Sequence, residues 1–160
     1  MVIKVIGIGS SYGADSIAWQ VIDSLKHDHA LQTLCGDRVS IINCDRPGAS
    51  LVDYMQGANY VILVDALAGG KPGTLRDLDK KQLLDLLSDQ AVQQGSALSS
   101  HEFGVSDALR LAGQLGVLPD QLNLIAIEIG DPAANYQFNA SDVHGINKCI
   151  VHHINAYCQT

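Results

Sequence analysis

The stretch VIGIGSSYGADSIAWQVI, residues 5–22, sets the architecture of the chain, because an apolar run leads through a glycine-rich turn into a helical pattern. Gly7, Gly9 and Gly13 give the turn the spacing G-x-G-x-x-x-G. Asp15 precedes the helical pattern, and we expect it to cap the helix. A strand, a tight turn and a helix in this order are typical of the first unit of an α/β fold.

Further apolar runs along the chain predict a sheet whose strands alternate with helices. Their continuous Val, Ile and Leu content, without strict alternation, is typical of parallel strands that are covered on both faces. We predict a single three-layer α/β/α domain over residues 1–160, with a mostly parallel, twisted sheet. The predicted strands are 2–8, 39–42, 60–66 and 122–129, with 71–78 as a candidate edge strand, and the predicted helices cover 15–26, 48–57, 78–89, 105–115 and 141–157.

The composition argues against several classes of partner. The chain has 10 Lys and Arg against 17 Asp and Glu, a formal net charge of -7, whereas nucleic-acid binding needs clustered basic residues. No apolar run approaches the ~20 residues of a membrane span, and the N-terminal run lacks the pattern of an export signal. The four cysteines show no C-x-x-C spacing. We therefore expect free thiols, a cytoplasmic location, and neither nucleic acid nor a membrane as partner.

The glycine turn admits three interpretations. It can hold the pyrophosphate of a dinucleotide, with Asp45 at the tip of the second strand binding the ribose. The carboxylate of Asp15 argues against this, because it would face the phosphate, whereas it would attract a bound cation. Alternatively, Gly7 and Gly9 serve only a tight turn and Asp15 only a helix cap.

Two residues outside the turn bear on this choice. Asp65 ends the apolar run YVILVD, and His101 stands where the next-to-last helical pattern begins. Ligands of open α/β sheets gather beyond the carboxyl ends of the strands. Carboxylates and an imidazole that meet there would suit a first-row divalent metal ion. Taken singly, a strand-end aspartate can simply cap a turn, and a lone histidine is more often a surface or core residue.

Three sequence blocks together resemble the hydrogenase maturation proteases. They are GIGSSYGADS at 7–16, VDA at 64–66 and HEFGVSD at 101–107, which correspond to the family's glycine turn with paired acids, its strand ending in D-A, and its H-x-x-G-x-x-D block. The resemblance implies a phosphorylase/hydrolase-like α/β fold. It also implies an endopeptidase, aspartyl-type or metal-assisted, that removes the C-terminal extension of a nickel-loaded [NiFe]-hydrogenase large-subunit precursor.

The resemblance further implies a site that binds nickel supplied by the precursor, for which other divalent metals can substitute. Asp65 and His101 match two of the family's metal ligands directly. The third position, an acid in the family, holds Ser16 here, and the preceding Asp15 matches the first acid of the pair. Three explanations stay open: Asp15 takes the third place, Ser16 binds weakly or through water, or metal sensing or cleavage has been lost. We assign Asp15, Asp65 and His101 as the metal ligands.

The sequence assigns no catalytic residue for attack on the peptide bond. Two other functions remain as alternatives at this point. One is a non-catalytic chaperone that binds the hydrogenase subunit, which the serine at position 16 favours. The other is a nucleotide-binding α/β enzyme that uses the glycine turn.

Overall fold

The computed structural model describes residues 1–88 and 103–159, whose strands form one five-stranded sheet. The strand order is β2-β1-β3-β5-β4, and every pairing is parallel except that of β4 with β5. This arrangement confirms the predicted α/β fold class. The candidate edge strand at 71–78 is observed as Leu75–Asp79, and it pairs antiparallel with its neighbour. The strands are β1 Ile3–Gly9, β2 Val39–Asp45, β3 Tyr60–Ala68, β4 Leu75–Asp79 and β5 Gln121–Gly130, and the helices of the described ranges are α1 Ile17–Lys26, α2 His29–Cys35, α3 Leu51–Met55, α4 Lys80–Leu86, α5 Phe103–Leu115 and α6 Ala140–Cys158.

The core lies on both faces of the sheet. On one face, β1 and β3 pack against α1 and α6, whose inward side chains include the fully buried Ile22 and Ile150. On the other face, the same strands pack against α3, α4 and α5, where Leu51, Leu83 and Leu109 are buried. The continuous apolar runs of the sequence follow from this double coverage, because each side chain of a central strand meets a helix.

The strand register brings the carboxyl ends of three strands to one level. Ile8 of β1 pairs with Asp65 of β3, and the next residue of β1, Gly9, pairs with Asp45 of β2. Residues that follow these positions in the chain therefore meet at one rim of the sheet, as expected for a parallel arrangement.

Several details of the helices differ from the sequence prediction. The helix predicted over 48–57 is shorter, Leu51–Met55, because Gly48–Ser50 forms a 3-10 turn. The helix predicted from residue 15 begins at Ile17, because Gly13–Ser16 forms a 3-10 turn. Helix α4 begins only at Lys80, after the edge strand, and its capping box joins Asp79 to Gln82. Helix α2 was not predicted. None of the helices in the described ranges has both the length and the apolar character that a membrane crossing requires.

Candidate functional site

A cavity of about 220 Å³ opens at the rim where β1 and β3 end. It lies at the place where the topology of an α/β sheet predicts a ligand site. Five segments supply its walls: the end of β1, the 3-10 turn before α1, the turn after β2, the end of β3 and the first turn of α5. The lining residues are Ile8, Gly9, Asp15, Arg46, Pro47, Gly48, Asp65, Ala66, Gly104 and Val105.

Asp15 lies at this cavity and does not cap α1, so the predicted capping role is wrong. The N-cap position belongs to Ser16, whose side chain makes no capping hydrogen bond, and Asp15 is exposed within the 3-10 turn. The turn lies so close to β1 that a Cβ atom on Gly9 would be 2.5 Å from the carbonyl oxygen of Asp15. Glycine at position 9 therefore allows the turn to bring the Asp15 carboxylate to the rim.

Ser16, which holds the position of the missing acid, is used within its own turn. Its Oγ donates a hydrogen bond of 2.7 Å to the carbonyl oxygen of Gly13 and accepts one of 2.9 Å from Nε2 of Gln20. Ser16 is not among the residues that line the cavity. Of the two adjacent residues, Asp15 lines the cavity, whereas Ser16 makes hydrogen bonds to its own turn and to Gln20 of α1.

Asp65 reaches the same cavity from the centre of the sheet. Because side chains alternate along a strand, Asp65 shares a face of β3 with Leu63 and Leu67, which pack on the side of α5. Its Oδ1 accepts a 2.9 Å hydrogen bond from the N–H of Ala66. This bond fixes one oxygen of a half-buried carboxylate at the wall of the cavity.

His101, the third predicted ligand, lies outside the described residues. Gly104 and Val105, which follow it closely in the same sequence block, line the cavity together with Asp15 and Asp65. At Gly104 the first turn of α5 lies close to the turn after β2, since a Cβ atom there would be 3.6 Å from Cα of Gly48. The described part of the third block thus lies beside the two carboxylates.

Arg46 is a cavity residue that the sequence analysis did not single out, although it follows directly on β2. Its backbone has a positive φ of 41°, and its N–H donates to the carbonyl oxygen of Gly9 at 3.2 Å. Its Nε lies 3.0 Å from Oδ1 of Asp45, in an exposed ion pair. Asp45 itself is not a lining residue. The guanidinium partly offsets the negative charge that Asp15 and Asp65 bring to this rim.

Comparison with known proteins identifies the family. A sequence model described as hydrogenase maturation protease, HycI, matches residues 19–142, more than three quarters of the chain. The chain belongs to the hydrogenase maturation protease family. The match covers the strand-end Asp65 and the block that begins with His101, although it begins after the glycine turn.

Individual relatives agree with this assignment. The chain is 26% identical over 128 residues to the hydrogenase expression/formation protein HupD of Thiocapsa roseopersicina, an alignment that covers 79% of this chain and 53% of the relative. The chain thus spans about half the length of that relative. Its fold is similar to that of the hydrogenase maturating endopeptidase HybD from Escherichia coli, with a TM-score of 0.69, 20% identity, and coverage of 99% and 93% of the two chains. It is also similar to HybD from Thermococcus kodakarensis, with a TM-score of 0.64, 15% identity, and coverage of 99% of both chains.

The glycine turn of this maturation-protease family member is explained by packing. A Cβ atom on Gly7 would clash with Cγ1 of Ile22, at 2.4 Å, and one on Gly9 would clash with the carbonyl oxygen of Asp15. Both glycines therefore allow α1 and its preceding turn to approach β1. Asp45, the candidate ribose ligand, pairs with Arg46 instead. A nucleotide phosphate would also need glycines to approach the backbone closely. Here the space beside Gly7 and Gly9 is occupied by Ile22 and by the backbone of Asp15.

Two acids at the carboxyl end of β5, Glu128 within the strand and Asp131 just after it, make contacts that stabilise the fold. Glu128 Oε1 lies 3.0 Å from Nε of Arg76 on β4, and Oε2 accepts from the N–H of Lys71 at 3.0 Å. The hydrogen bonds from Arg76 and Lys71 hold the pKa of the Glu128 carboxyl below its usual value. Asp131 accepts from the N–H of Ala133 and caps the 3-10 turn Pro132–Ala134. Neither acid lines the cavity.

Proposed function

We propose that the chain is an endopeptidase that removes the C-terminal extension of a nickel-loaded [NiFe]-hydrogenase large-subunit precursor. Membership of the hydrogenase maturation protease family supports the reaction class. The observation that carries the proposal is that Asp15 and Asp65, from two separate sequence blocks, line one cavity beside the first turn of α5.

The proposed metal ligands are Asp15, Asp65 and His101, and the nickel belongs to the substrate. Two carboxylates and an imidazole are a mixed oxygen and nitrogen set, which suits a first-row divalent ion, so other divalent metals can take the place of nickel. The cavity, at about 220 Å³, is smaller than the ~300–1,000 Å³ of typical small-ligand pockets. A cavity of this size suits the insertion of a single metal-bearing segment of a large precursor protein.

The residues of the chain have separable tasks in this proposal. A bound divalent ion can polarise a carbonyl group or a water molecule. Asp65, oriented by the N–H of Ala66, presents a carboxylate oxygen at a fixed place, and Asp15 adds a second carboxylate from a turn that Gly9 holds close to the sheet. Arg46 offers a guanidinium at the same rim for a carboxylate or carbonyl of the precursor.

The wider setting of the proposal follows from the charge and size of the chain. We propose that residues 1–160 act as a single domain in the cytoplasm, with the large-subunit precursor as the macromolecular partner. The net charge of -7 supports a protein partner and no nucleic acid.

Intact-mass spectrometry of the large subunit tests the proposal. Purified nickel-loaded precursor is incubated with the wild-type chain, with Asp65→Asn and with His101→Ala. We expect the wild type to shorten the precursor at its C-terminus and both variants to leave it full length. Asp45→Asn is the matched control. The Asp45 carboxylate lies at the same rim and pairs with Arg46, but it does not line the cavity, so we expect this variant to cleave like the wild type.

Three other outcomes would contradict the proposal. If the wild type binds the loaded precursor tightly and leaves its mass unchanged, the chain is a non-catalytic binder. If Asp65→Asn cleaves at the wild-type rate, the reaction does not use this site. Measurable NAD or nucleotide affinity that Gly9→Ala abolishes would favour the nucleotide-binding alternative.

A further inference from the structure

A second group of metal-ligating side chains lies on the face of the sheet that α6 covers, opposite the face on which Asp65 lies. Asp77 of the edge strand β4 and Cys149 and His153 of α6 each offer one ligand atom, and these atoms all lie within 4.8 Å of one another. Asp65 shares the other face with Leu63 and Leu67, so the sheet itself separates it from this group. The group is therefore distinct from the proposed nickel site.

The helix presents two of the three ligands together. Cys149 and His153 are four residues apart, so they lie on one face of α6, one turn above the other. This face packs over β4, and Nε2 of His153 lies 2.5 Å from Oδ2 of Asp77. The imidazole and the carboxylate are thus in hydrogen-bond contact, and a metal ion bound by both would lie between them.

A chain of hydrogen bonds holds the Asp77 carboxylate in position. Its Oδ1 accepts from Nδ2 of Asn123 at 2.9 Å, and Oδ1 of Asn123 accepts from the hydroxyl of Tyr60 at 3.0 Å. Supporting hydrogen bonds of this kind orient the ligands in protein metal sites. Asn123 of β5 and Tyr60 of β3 thus orient the Asp77 carboxylate of β4, whose other oxygen contacts His153.

The donor set suits a cation. Asp77 supplies a carboxylate, and transition-metal ions bind the thiolate form of cysteine, so an ion at this place would be held by two anionic ligands and one imidazole.

We propose that Asp77, Cys149 and His153 bind a zinc-like divalent transition-metal ion that fastens the edge strand to α6. Thiolate, imidazole and carboxylate are the three ligand types of protein zinc sites. In a tetrahedral site with ligand distances of about 2.0–2.3 Å, ligand atoms are roughly 3.3–3.8 Å apart. The ligand atoms of the group lie between 2.5 Å and 4.8 Å apart, so side-chain movements of about 1 Å would bring them to the distances of a zinc site.

His153 also borders a cleft that opens to solvent. The cleft, of about 220 Å³, is lined by Tyr60, Asn123 and Tyr157, among others, and provides both an entry path and room for a water ligand. The rings of Tyr60 and Tyr157 pack at a centroid distance of 4.8 Å and form one wall. The proposal depends on none of the residues assigned to precursor processing.

Cobalt titration of the full chain tests the site. After removal of bound metal with a chelator, Co²⁺ is added and the near-ultraviolet band that reports charge transfer from thiolate to cobalt is recorded, together with the melting temperature. We expect the wild type to give the band at one equivalent and to melt at a higher temperature with Co²⁺. Cys149→Ser abolishes the band, and His153→Gln weakens Co²⁺ binding about tenfold or more.

Matched controls separate this site from others. Cys158→Ser and His152→Ala remove the same side-chain types from α6 outside the cluster, and Asp65→Asn disables the proposed nickel site; all three are expected to keep the band. Circular dichroism verifies that each variant is folded, and Asp77→Asn provides a second ligand variant that leaves the helix untouched. A folded wild type without a thiolate band, or a band that survives in Cys149→Ser, would overturn the proposal.

Discussion

Replacement of Gly9 by alanine tests how the glycine turn positions the candidate site. The added Cβ would lie 2.5 Å from the carbonyl oxygen of Asp15, whereas ordinary contacts begin at 3.4 Å. Relief therefore requires a movement of about 0.9 Å. Gly9 cannot supply it, because the residue pairs with β2 and its carbonyl oxygen accepts the N–H of Arg46. The turn that carries Asp15 must move instead.

This movement has a cost for both stability and activity. Overpacking of this kind destabilises a protein by about 1–3 kcal/mol, although alanine is intrinsically favoured over glycine within a strand. A displacement of about 1 Å at a reacting group costs up to ~100-fold in rate. We expect Gly9→Ala to unfold at lower urea concentration and to process the precursor at a rate lower by about one to two orders of magnitude.

Gly145→Ala is the matched control for this experiment. A Cβ atom at Gly145 has no neighbour within 4 Å, and the residue lies inside α6. The substitution should raise stability by about 0.5–1 kcal/mol through helix propensity and leave processing unchanged. If Gly9→Ala matches the wild type in both assays, the close approach of the turn to β1 does not govern the site, and the reasoning is refuted.

Three further substitutions test separate parts of the account. Ser16→Ala should process the precursor within about twofold of the wild type, whereas Asp15→Asn should lose at least ~10-fold in rate, because the hydroxyl is engaged within the turn and the carboxylate lines the cavity. A larger loss in Ser16→Ala than in Asp15→Asn would favour Ser16 as the ligand. Ile150→Ala, at a fully buried position, should lower the free energy of unfolding by about 2–5 kcal/mol, and a loss below 1 kcal/mol would contradict the packing of α6. Glu128→Gln should unfold at lower urea concentration at pH 7. Because the folded-state pKa of Glu128 is lowered, its stabilisation is present above the unfolded pKa of about 4.3 and disappears as the pH falls through the folded value. The difference between the wild type and Glu128→Gln in urea denaturation should therefore narrow on acidification; a constant difference from pH 7 to pH 3 would contradict this.

The sheet and most helices were predictable because their signals are local. Continuous apolar runs predicted β1, β3 and β5, and the buried stripe of α6 follows the 3.6-residue period of its isoleucines. Helix α2 escaped prediction because its 7 residues are too few to show a helical period, although Asp28 caps it. The strand-end position of Asp65 and the topology rule together predicted that this residue lies at a rim cavity.

Features that depend on close tertiary contact could not be predicted from local patterns. The expected cap at Asp15 failed because the approach of the turn to Gly9 inserts a 3-10 segment before α1. The spacing of Cys149 and His153 is visible in the sequence, but their partner Asp77 comes from a strand far away along the chain. A cysteine four residues before a histidine within a predicted helix is the signal that would have found this pair, but not its partner Asp77.

The most direct measurement compares nickel-loaded with metal-free precursor as substrates for the wild-type chain. Both forms are incubated under the same conditions, and the mass of each large subunit is followed with time. Because we assign Asp15, Asp65 and His101 to the nickel that the precursor carries, we expect the loaded form to lose its C-terminal extension and the metal-free form to stay full length. Equal shortening of both forms, or of neither, would contradict this account.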